Sequence, residues 1–179
     1  AAARRSPLRA VKIATFNVNS IKARLPRLLE WLEDTRPDVA LLQETKTVSA
    51  NFPGLEIAAL GYRIESHGQK SYNGVAILSR VPFDDVVTLN WCGKEDCRHI
   101  SVILPGGVEL HNFYVPAGGD EPNPAINPKF RHKLDFLAEM RDIRADPGKA
   151  QSAILVGDLN VAPLETDVWS HKQLLKVVS

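Results

Sequence analysis

Asp158 and Asn160 follow a short apolar run in segment 153–160, whose sequence is Ala-Ile-Leu-Val-Gly-Asp-Leu-Asn. The apolar run predicts a buried strand, and the glycine and polar residues after it predict the end of that strand. Residues i and i+2 of an extended chain point the same way, so the carboxylate and the amide share one face. Open α/β sheets bind ligands at such strand ends. Turn formation is the alternative, because Asp and Asn also bond their own backbone.

Three more polar side chains lie at predicted strand ends, namely Asn17, Glu44 and Tyr114. Each has an ordinary explanation when taken alone. Asn17 could be a helix cap or turn residue, Glu44 a solvated charge, and Tyr114 an ordinary strand aromatic. Gathered around one cleft with Asp158 and Asn160, they would offer carboxylate and amide oxygens. Such ligands suit a hard cation whose remaining positions are filled by water and substrate phosphate. The predicted cofactor is therefore Mg²⁺, with Mn²⁺ as the alternative.

Hydrophobic periodicity predicts the elements that position these residues. The predicted strands cover residues 11–17, 39–42, 61–67, 74–79, 86–90, 99–104, 108–115 and 153–156, with a tight hairpin at 105–107. Apolar residues at helical spacing predict one helix over 21–32 and another over 130–144, which Pro147 and Gly148 end. Mixed strands with flanking helices predict an α/β sandwich.

The composition is that of an ordinary globular domain. The chain has 179 residues, of which 44% are apolar and 24% charged, and its net charge is +1. A nearly neutral chain must bind nucleic acid, if it does so, through local clusters of Lys and Arg. The start of the chain lacks the apolar core of a signal peptide, and no run is long enough to span a membrane. We expect a cytoplasmic protein without a membrane partner, with a disordered basic tail over 1–10 and one domain over 11–179.

Five segments together resemble the exonuclease III family of the endonuclease/exonuclease/phosphatase superfamily. They are Phe-Asn-Val-Asn at 16–19, Leu-Gln-Glu-Thr-Lys at 42–46, His-Gly-Gln-Lys at 67–70 with Asn-Gly-Val-Ala-Ile-Leu-Ser at 73–79, Tyr-Val-Pro at 114–116, and Gly-Asp-Leu-Asn at 157–160. They occur in the family's order and extend from about Val11 to the last residues. The resemblance implies two sheets packed face to face between helical layers.

The resemblance also implies a role for each matching residue. Glu44 would bind the catalytic Mg²⁺, and Asn17 would line the same site. Tyr114 would contact the scissile phosphate. Asp158 would orient or deprotonate the attacking water, and Asn160 would bond to the phosphate or hold the surroundings of the nucleophile.

Weaker similarity implies contacts with DNA. Arg98 matches a family arginine associated with DNA contact. Loop 69–73, which contains Lys70 and Asn73, is similar to a family loop that approaches the DNA backbone.

One feature of the family is missing from these 179 residues. Family members are longer and finish with a distal aspartate and a Ser-Asp-His motif, and no Ser-Asp-His occurs here. His171 follows Ser170 directly, so it is no substitute. We therefore expect an amino-terminal, truncated part of the family's domain that is inactive alone, prone to association, and monomeric when full length.

The predicted function is a Mg²⁺-dependent DNA phosphodiesterase that incises double-stranded DNA at abasic sites and trims 3′ ends. Attack of water on phosphorus would be assisted by the metal, which neutralises the phosphate. Two alternatives remain open: a phosphatase or phosphodiesterase of the same fold that acts on inositol phosphates or lipids, and a non-catalytic DNA-binding module. The loop at 67–70 and the Tyr114-x-Pro116 segment favour the nuclease.

Overall fold

The computed structural model describes residues 10–142 and 152–178. Most of the predicted basic tail over 1–10 lies outside these residues. So do the predicted last turn of the helix at 143–144 and the Pro147-Gly148 end signal.

The first of two four-stranded sheets holds the amino-terminal strands. In spatial order these are β1 (Ile13–Asn17), β2 (Val39–Gln43), β4 (Val75–Ser79) and β3 (Arg63–His67). β1 and β2 are parallel, whereas β4 is antiparallel to both of its neighbours. Every residue of β2 and β4 is buried, as expected for strands covered on both faces.

The second sheet follows chain order. Its strands are β5 (Asp84–Val87), β6 (His99–Leu104), β7 (Val108–Tyr114) and β8 (Ala153–Asp158). β7 and β8 are parallel, and the other pairs are antiparallel. The predicted hairpin between β6 and β7 is confirmed, with the N–H of Gly107 bonded to the carbonyl of Leu104 at 3.1 Å.

Helices cover the outer faces of both sheets. The α-helices are α1 (Ile21–Thr35), α2 (Gly54–Ala59), α3 (Pro128–Asp142) and α4 (His171–Leu174), and short 3₁₀ turns cover Ser49–Asn51, Trp91–Gly93 and Glu165–Asp167. Ser20 caps α1 by accepting from the N–H of Ala23, and Arg36 ends that helix in the left-handed conformation. None of the helices within 10–142 and 152–178 combines the length and apolar character needed to cross a membrane.

Three apolar clusters separate four layers. The first packs α1 and α2 on the outer face of the first sheet, the second lies between the two sheets, and the third packs the second sheet against α3. The predicted two-sheet α/β sandwich is thus confirmed. One predicted strand was misplaced: residues 86–90 were expected to be extended, but β5 covers Asp84–Val87. All four residues of β5 are exposed, so burial gives no periodic signal for its bounds.

Asn112 ties the two sheets together inside the core. It is fully buried, and its Nδ2 donates to the carbonyls of Leu42 and Ala76 at 2.9 and 3.0 Å. Its Oδ1 accepts from Nε2 of Gln43 at 2.7 Å. A buried amide must be fully bonded to be tolerated, so this network fixes how the sheets stack.

Candidate active site

Four strand ends meet at one edge of the sandwich, and strand pairing explains why. β1 and β2 are parallel with Asn17 opposite Gln43, so Glu44 directly follows the residue beside Asn17. β7 and β8 are parallel with Tyr114 opposite Asp158. Since parallel strands end at the same edge of their sheet, each sheet brings two predicted site residues together.

Asn17 joins the two pairs. Its Nδ2 donates to Oε1 of Glu44 at 2.9 Å and to Oδ2 of Asp158 at 2.7 Å. Its Oδ1 accepts from the backbone N–H of Asn19 at 3.0 Å. Because a backbone N–H can only donate, this contact fixes which end of the amide faces the carboxylates. Asn17 therefore holds the two carboxylates beside each other.

Glu44 is surrounded by donors. Its Oε1 also accepts from the hydroxyl of Tyr114 at 2.8 Å, and its Oε2 lies 2.9 Å from Nζ of Lys46. Burial alone would raise the pKa of Glu44. Hydrogen bonds from Asn17, Lys46 and Tyr114, together with the charge of Lys46, outweigh burial and lower that pKa below its ordinary value. The site thus contains an ionised carboxylate at neutral pH.

Tyr114 is braced by Arg98. The N–H of Tyr114 donates to the carbonyl of Arg98 at 2.9 Å, and Nη1 of Arg98 donates to the carbonyl of Tyr114 at 3.2 Å. The guanidinium lies 4.8 Å from the centre of the Tyr114 ring and is held by Asp96 at 2.5 Å. Burial, followed by the hydrogen bond to Glu44 and the charge of that carboxylate, raises the pKa of Tyr114. The phenol is therefore a protonated donor.

Asp158 is held through both carboxylate oxygens. Oδ2 accepts from Asn17, and Oδ1 accepts from the backbone N–H of Asn160 at 3.1 Å. The side-chain Nδ2 of Asn160 donates to the carbonyl of Val115 at 2.8 Å. The Asp158 carboxylate is thus oriented from two directions.

The glycine before Asp158 is required by close packing. Gly157 has φ +144°, and a Cβ at this position would lie 1.9 Å from the carbonyl oxygen of Phe113. Only glycine lets β8 approach β7 this closely, so Gly157 sets the position of Asp158 relative to Tyr114.

Two of the five residues in this strand-end cluster have left-handed backbone conformations. Glu44 has φ +54° and Asn160 has φ +50°. For the glutamate this conformation costs on the order of 1 kcal/mol, whereas asparagine adopts it more readily. The surrounding hydrogen bonds hold both residues in place.

The predicted DNA-binding residues lie beside this site and differ in exposure. The carbonyl of Asn73 accepts from the N–H of Lys46 at 2.9 Å, and Nδ2 of Asn73 donates to the carbonyl of Asp96 at 2.9 Å. Lys70 is exposed. The Arg98 side chain is only 13% exposed. Loop 69–73 thus borders the Glu44 loop, with Asn73 as its anchor and Lys70 in solvent.

The donor set fits a hard divalent cation. Glu44 and Asp158 bring two carboxylates to the same asparagine, and Mg²⁺ is commonly held by one or two carboxylates plus water and substrate oxygens. Within the described residues, no group of three His, Cys, Asp or Glu side chains is placed to hold a metal. Two carboxylates fit an ion whose other positions are filled by water and substrate oxygens.

Sequence reasoning overlooked several contributors. The sequence pattern predicts no contact between Lys46 and Glu44, although Lys46 is the ion-pair partner of that carboxylate. Asp96 and Lys133 were not singled out. A signal for Lys133 existed, because a lysine three residues after Phe130 falls on the predicted apolar face of the helix.

Comparison with known proteins shows the family to which the chain belongs. Residues 14–177 match the model of the Endonuclease/Exonuclease/phosphatase family. The chain is 29% identical over 164 residues to exodeoxyribonuclease III of Haemophilus influenzae, covering 88% of this chain and 60% of that protein. It is 28% identical over 171 residues to the DNA repair nuclease APEX1 of Danio rerio, covering 90% and 53%.

Solved structures of nucleases are also similar to this chain. An AP endonuclease from Archaeoglobus fulgidus superimposes with a TM-score of 0.85 at 36% identity, covering 94% of this chain and 65% of that one. The 3′-5′ exonuclease NExo from Neisseria meningitidis gives 0.84 at 32% identity with the same coverage. The chain thus spans about half to two thirds of the length of these relatives. It belongs to the endonuclease/exonuclease/phosphatase family.

Proposed function

We propose that this chain carries the catalytic carboxylates of a metal-dependent phosphodiesterase that hydrolyses double-stranded DNA at abasic sites and 3′ ends. The observation that carries the proposal is the cluster in which Asn17 binds both Glu44 and Asp158 while Tyr114 binds Glu44. Support for DNA as the substrate comes from relatives named as exodeoxyribonuclease III and AP endonuclease, and from a Neisseria 3′ phosphatase bound to a product DNA hairpin.

The metal is Mg²⁺, with Mn²⁺ as a substitute. Glu44 is the principal ligand, because it is the acidic residue that follows β2 at the site and its carboxylate shares the Asn17 amide with Asp158. Asn17 lines the metal site as the donor that holds Glu44 in place. When bound, the ion neutralises the phosphate and stabilises the leaving oxygen.

The residues of the chain position the reactants for in-line displacement. Asp158 accepts a hydrogen bond from the attacking water and takes its proton as the water oxygen bonds to phosphorus. The phosphorus–oxygen bond to the leaving group breaks in the same displacement. When substrate is bound, the Tyr114 hydroxyl exchanges its hydrogen bond to Glu44 for one to a phosphate oxygen, and the second N–H of Asn160 Nδ2 is a further donor.

Contacts outside the site orient the duplex. Lys70 is an exposed cation on the loop that borders Glu44, and it contacts a phosphate of the DNA backbone. Asn73 holds that loop, and Arg98 holds Tyr114 while its guanidinium edge faces the DNA. We expect the enzyme to act as a monomer.

Metal binding can be tested without turnover. Mn²⁺ titrated into the ¹⁵N-labelled chain should broaden the amide signals of Asn17, Glu44 and Asp158. Glu44→Gln should raise the Mn²⁺ concentration at which half of this broadening is reached, by about tenfold or more. The matched control is Glu56→Gln, which changes an exposed glutamate on α2. Unchanged broadening in Glu44→Gln would remove Glu44 as the ligand.

Substrate choice is tested with the native polypeptide, meaning the gene product that contains these 179 residues. A duplex with one synthetic abasic site and an inositol phosphate are each incubated with Mg²⁺ or with EDTA. The proposal predicts Mg²⁺-dependent incision of the duplex and slow turnover of the inositol phosphate. Faster hydrolysis of the inositol phosphate would indicate another branch of the family, and DNA binding without hydrolysis would indicate a binding module.

A further inference from the structure

Lys133 is a buried cation next to the proposed catalytic loop. It lies on α3, and its residue surface is 3% exposed. Its ammonium forms no ion pair with any residue in 10–142 or 152–178. Burial lowers the pKa of Lys133 because it disfavours the charged form. A buried lysine is unusual, so its partners are informative.

The partners of Lys133 are two backbone carbonyls on different loops. Nζ donates to the carbonyl of Asn160 at 2.5 Å and to that of Ala117 at 3.4 Å. The first loop follows β8 and Asp158, and the second follows β7 and Tyr114. One ammonium therefore joins the loops after both strands that carry the site in the second sheet.

Asn160 is fixed from three sides by these contacts. Its N–H donates to Asp158, its Nδ2 donates to Val115 and its carbonyl accepts from Lys133. Its backbone is left-handed, a conformation that asparagine adopts more readily than most residues and that these three contacts hold in place. Without Lys133, the carbonyl of Asn160 would lose its bond to a charged donor, and the residue could relax towards an ordinary conformation.

The fold makes room for this lysine. Gly118 has φ +92°, and a Cβ there would lie 2.8 Å from Cδ of Lys133. The second loop thus has a glycine at the point where the stem of Lys133 passes.

We propose that Lys133 is a positioning residue, which joins the loops after β7 and β8 and thereby fixes Asn160 and the Asp158 carboxylate for reaction. This inference rests on the proposed function for its catalytic consequence. Its structural part, the control of Asn160 by Lys133, does not depend on what the substrate is.

The structural part is tested by amide hydrogen exchange on the 179-residue chain. In Lys133→Met, exchange of the Asn160 N–H should accelerate about tenfold or more, the effect of losing a hydrogen bond to a charged group. Lys133→Arg should restore protection, because a guanidinium can donate to both carbonyls. Lys129→Met is the matched control, since Lys129 is an exposed lysine on the same helix.

Amides in the centre of β7 report whether each variant is folded. If Lys133→Met fails to fold, Lys133→Gln takes its place, because it keeps a shorter neutral donor. Unchanged exchange at Asn160 in the folded variant would overturn the proposal. Equal acceleration at Asn160 and throughout β7 would also overturn it, since Lys133 would then support the whole fold.

The catalytic part is tested by incision kinetics of the native polypeptide. In Lys133→Met, kcat should fall about tenfold while KM stays within about twofold, because Lys133 positions other residues without touching substrate. Lys133→Arg should recover most of kcat. A raised KM with unchanged kcat would overturn the positioning role. If wild-type protein does not incise DNA, the proposed function fails, and hydrogen exchange still decides whether Lys133 controls Asn160.

Discussion

Asn17 and Asp158 lie 141 positions apart in the chain, and Nδ2 of Asn17 donates a 2.7 Å hydrogen bond to Oδ2 of Asp158. The same nitrogen binds Glu44. Asn17 ends β1 in one sheet and Asp158 ends β8 in the other, so a single amide connects the sheets at the candidate active site.

Removal of this amide should change the ionisation of Glu44. The hydrogen bond from Asn17 is one of the interactions that lower the pKa of Glu44 against the effect of burial. Asn17→Ala should therefore raise that pKa, as followed by carboxyl ¹³C shifts during a pH titration. Asn51→Ala, a change of an exposed asparagine, is the control. The same Glu44 pKa in Asn17→Ala and wild type would show that Asn17 does not stabilise the carboxylate.

Tyr114 should act as a donor over a wide pH range. Burial and the neighbouring Glu44 raise its pKa, so its hydroxyl remains protonated in mildly alkaline solution. Tyr114→Phe should slow incision by about tenfold or more. The ratio of wild-type to variant rates should stay constant up to about pH 9, below the ordinary tyrosine pKa. A ratio that falls to one between about pH 8 and pH 9 would contradict the donor role.

Much of the candidate site could be predicted from sequence because polar residues at strand ends break the apolar pattern. Asn17, Glu44, Tyr114 and Asp158 each follow or end such a run, and the structure brings them together. The apolar pattern does not predict the register in which neighbouring strands pair. That Asn17 pairs with Gln43 and Tyr114 with Asp158 depends on backbone pairing, which periodicity does not specify.

The rest of the site depends on contacts distant in sequence. Lys46 binds Glu44 within a loop where both residues have positive φ, and no sequence rule predicts that conformation for a glutamate or a lysine. Lys133 reaches Asn160 because α3 packs against the second sheet next to the loops after β7 and β8. The strand predicted over 86–90 was wrong in its bounds because the residues of β5 are all exposed and show no alternation of burial.

The core amide network should contribute measurably to stability. Asn112→Leu removes three hydrogen bonds and leaves the carbonyls of Leu42 and Ala76 and the amide of Gln43 without that partner. The free energy of unfolding in urea should fall by about 3 kcal/mol, since each unsatisfied buried group costs about 1–3 kcal/mol. Asn90→Leu, at an exposed position, should change it by less than about 0.5 kcal/mol. A loss of similar size in both variants would argue against the network.

Acid should destabilise the fold through His99. Burial, with His111 and His67 nearby, lowers the pKa of His99 to about 3. The unfolded chain binds a proton at His99 near pH 6.5 and the folded chain does not, so stability is full above about pH 6.5 and falls as pH drops towards 3.

Urea unfolding at several pH values measures this dependence. His99→Gln should reduce the loss of stability between about pH 6.5 and pH 4, whereas His171→Gln, at an exposed position, should leave it unchanged. An identical pH dependence in His99→Gln and wild type would show that the buried histidine does not cause the acid sensitivity.

Single-turnover incision of an abasic duplex by Asp158→Asn tests the central claim most directly. The substitution keeps the shape of the side chain but removes the proton acceptor, and Asp34→Asn changes an exposed aspartate as control. With the native polypeptide and saturating Mg²⁺, the rate should fall about 10²-fold or more in Asp158→Asn and stay within about twofold in the control. A rate within a few-fold of wild type in Asp158→Asn would show that Asp158 is structural and that another group activates the water.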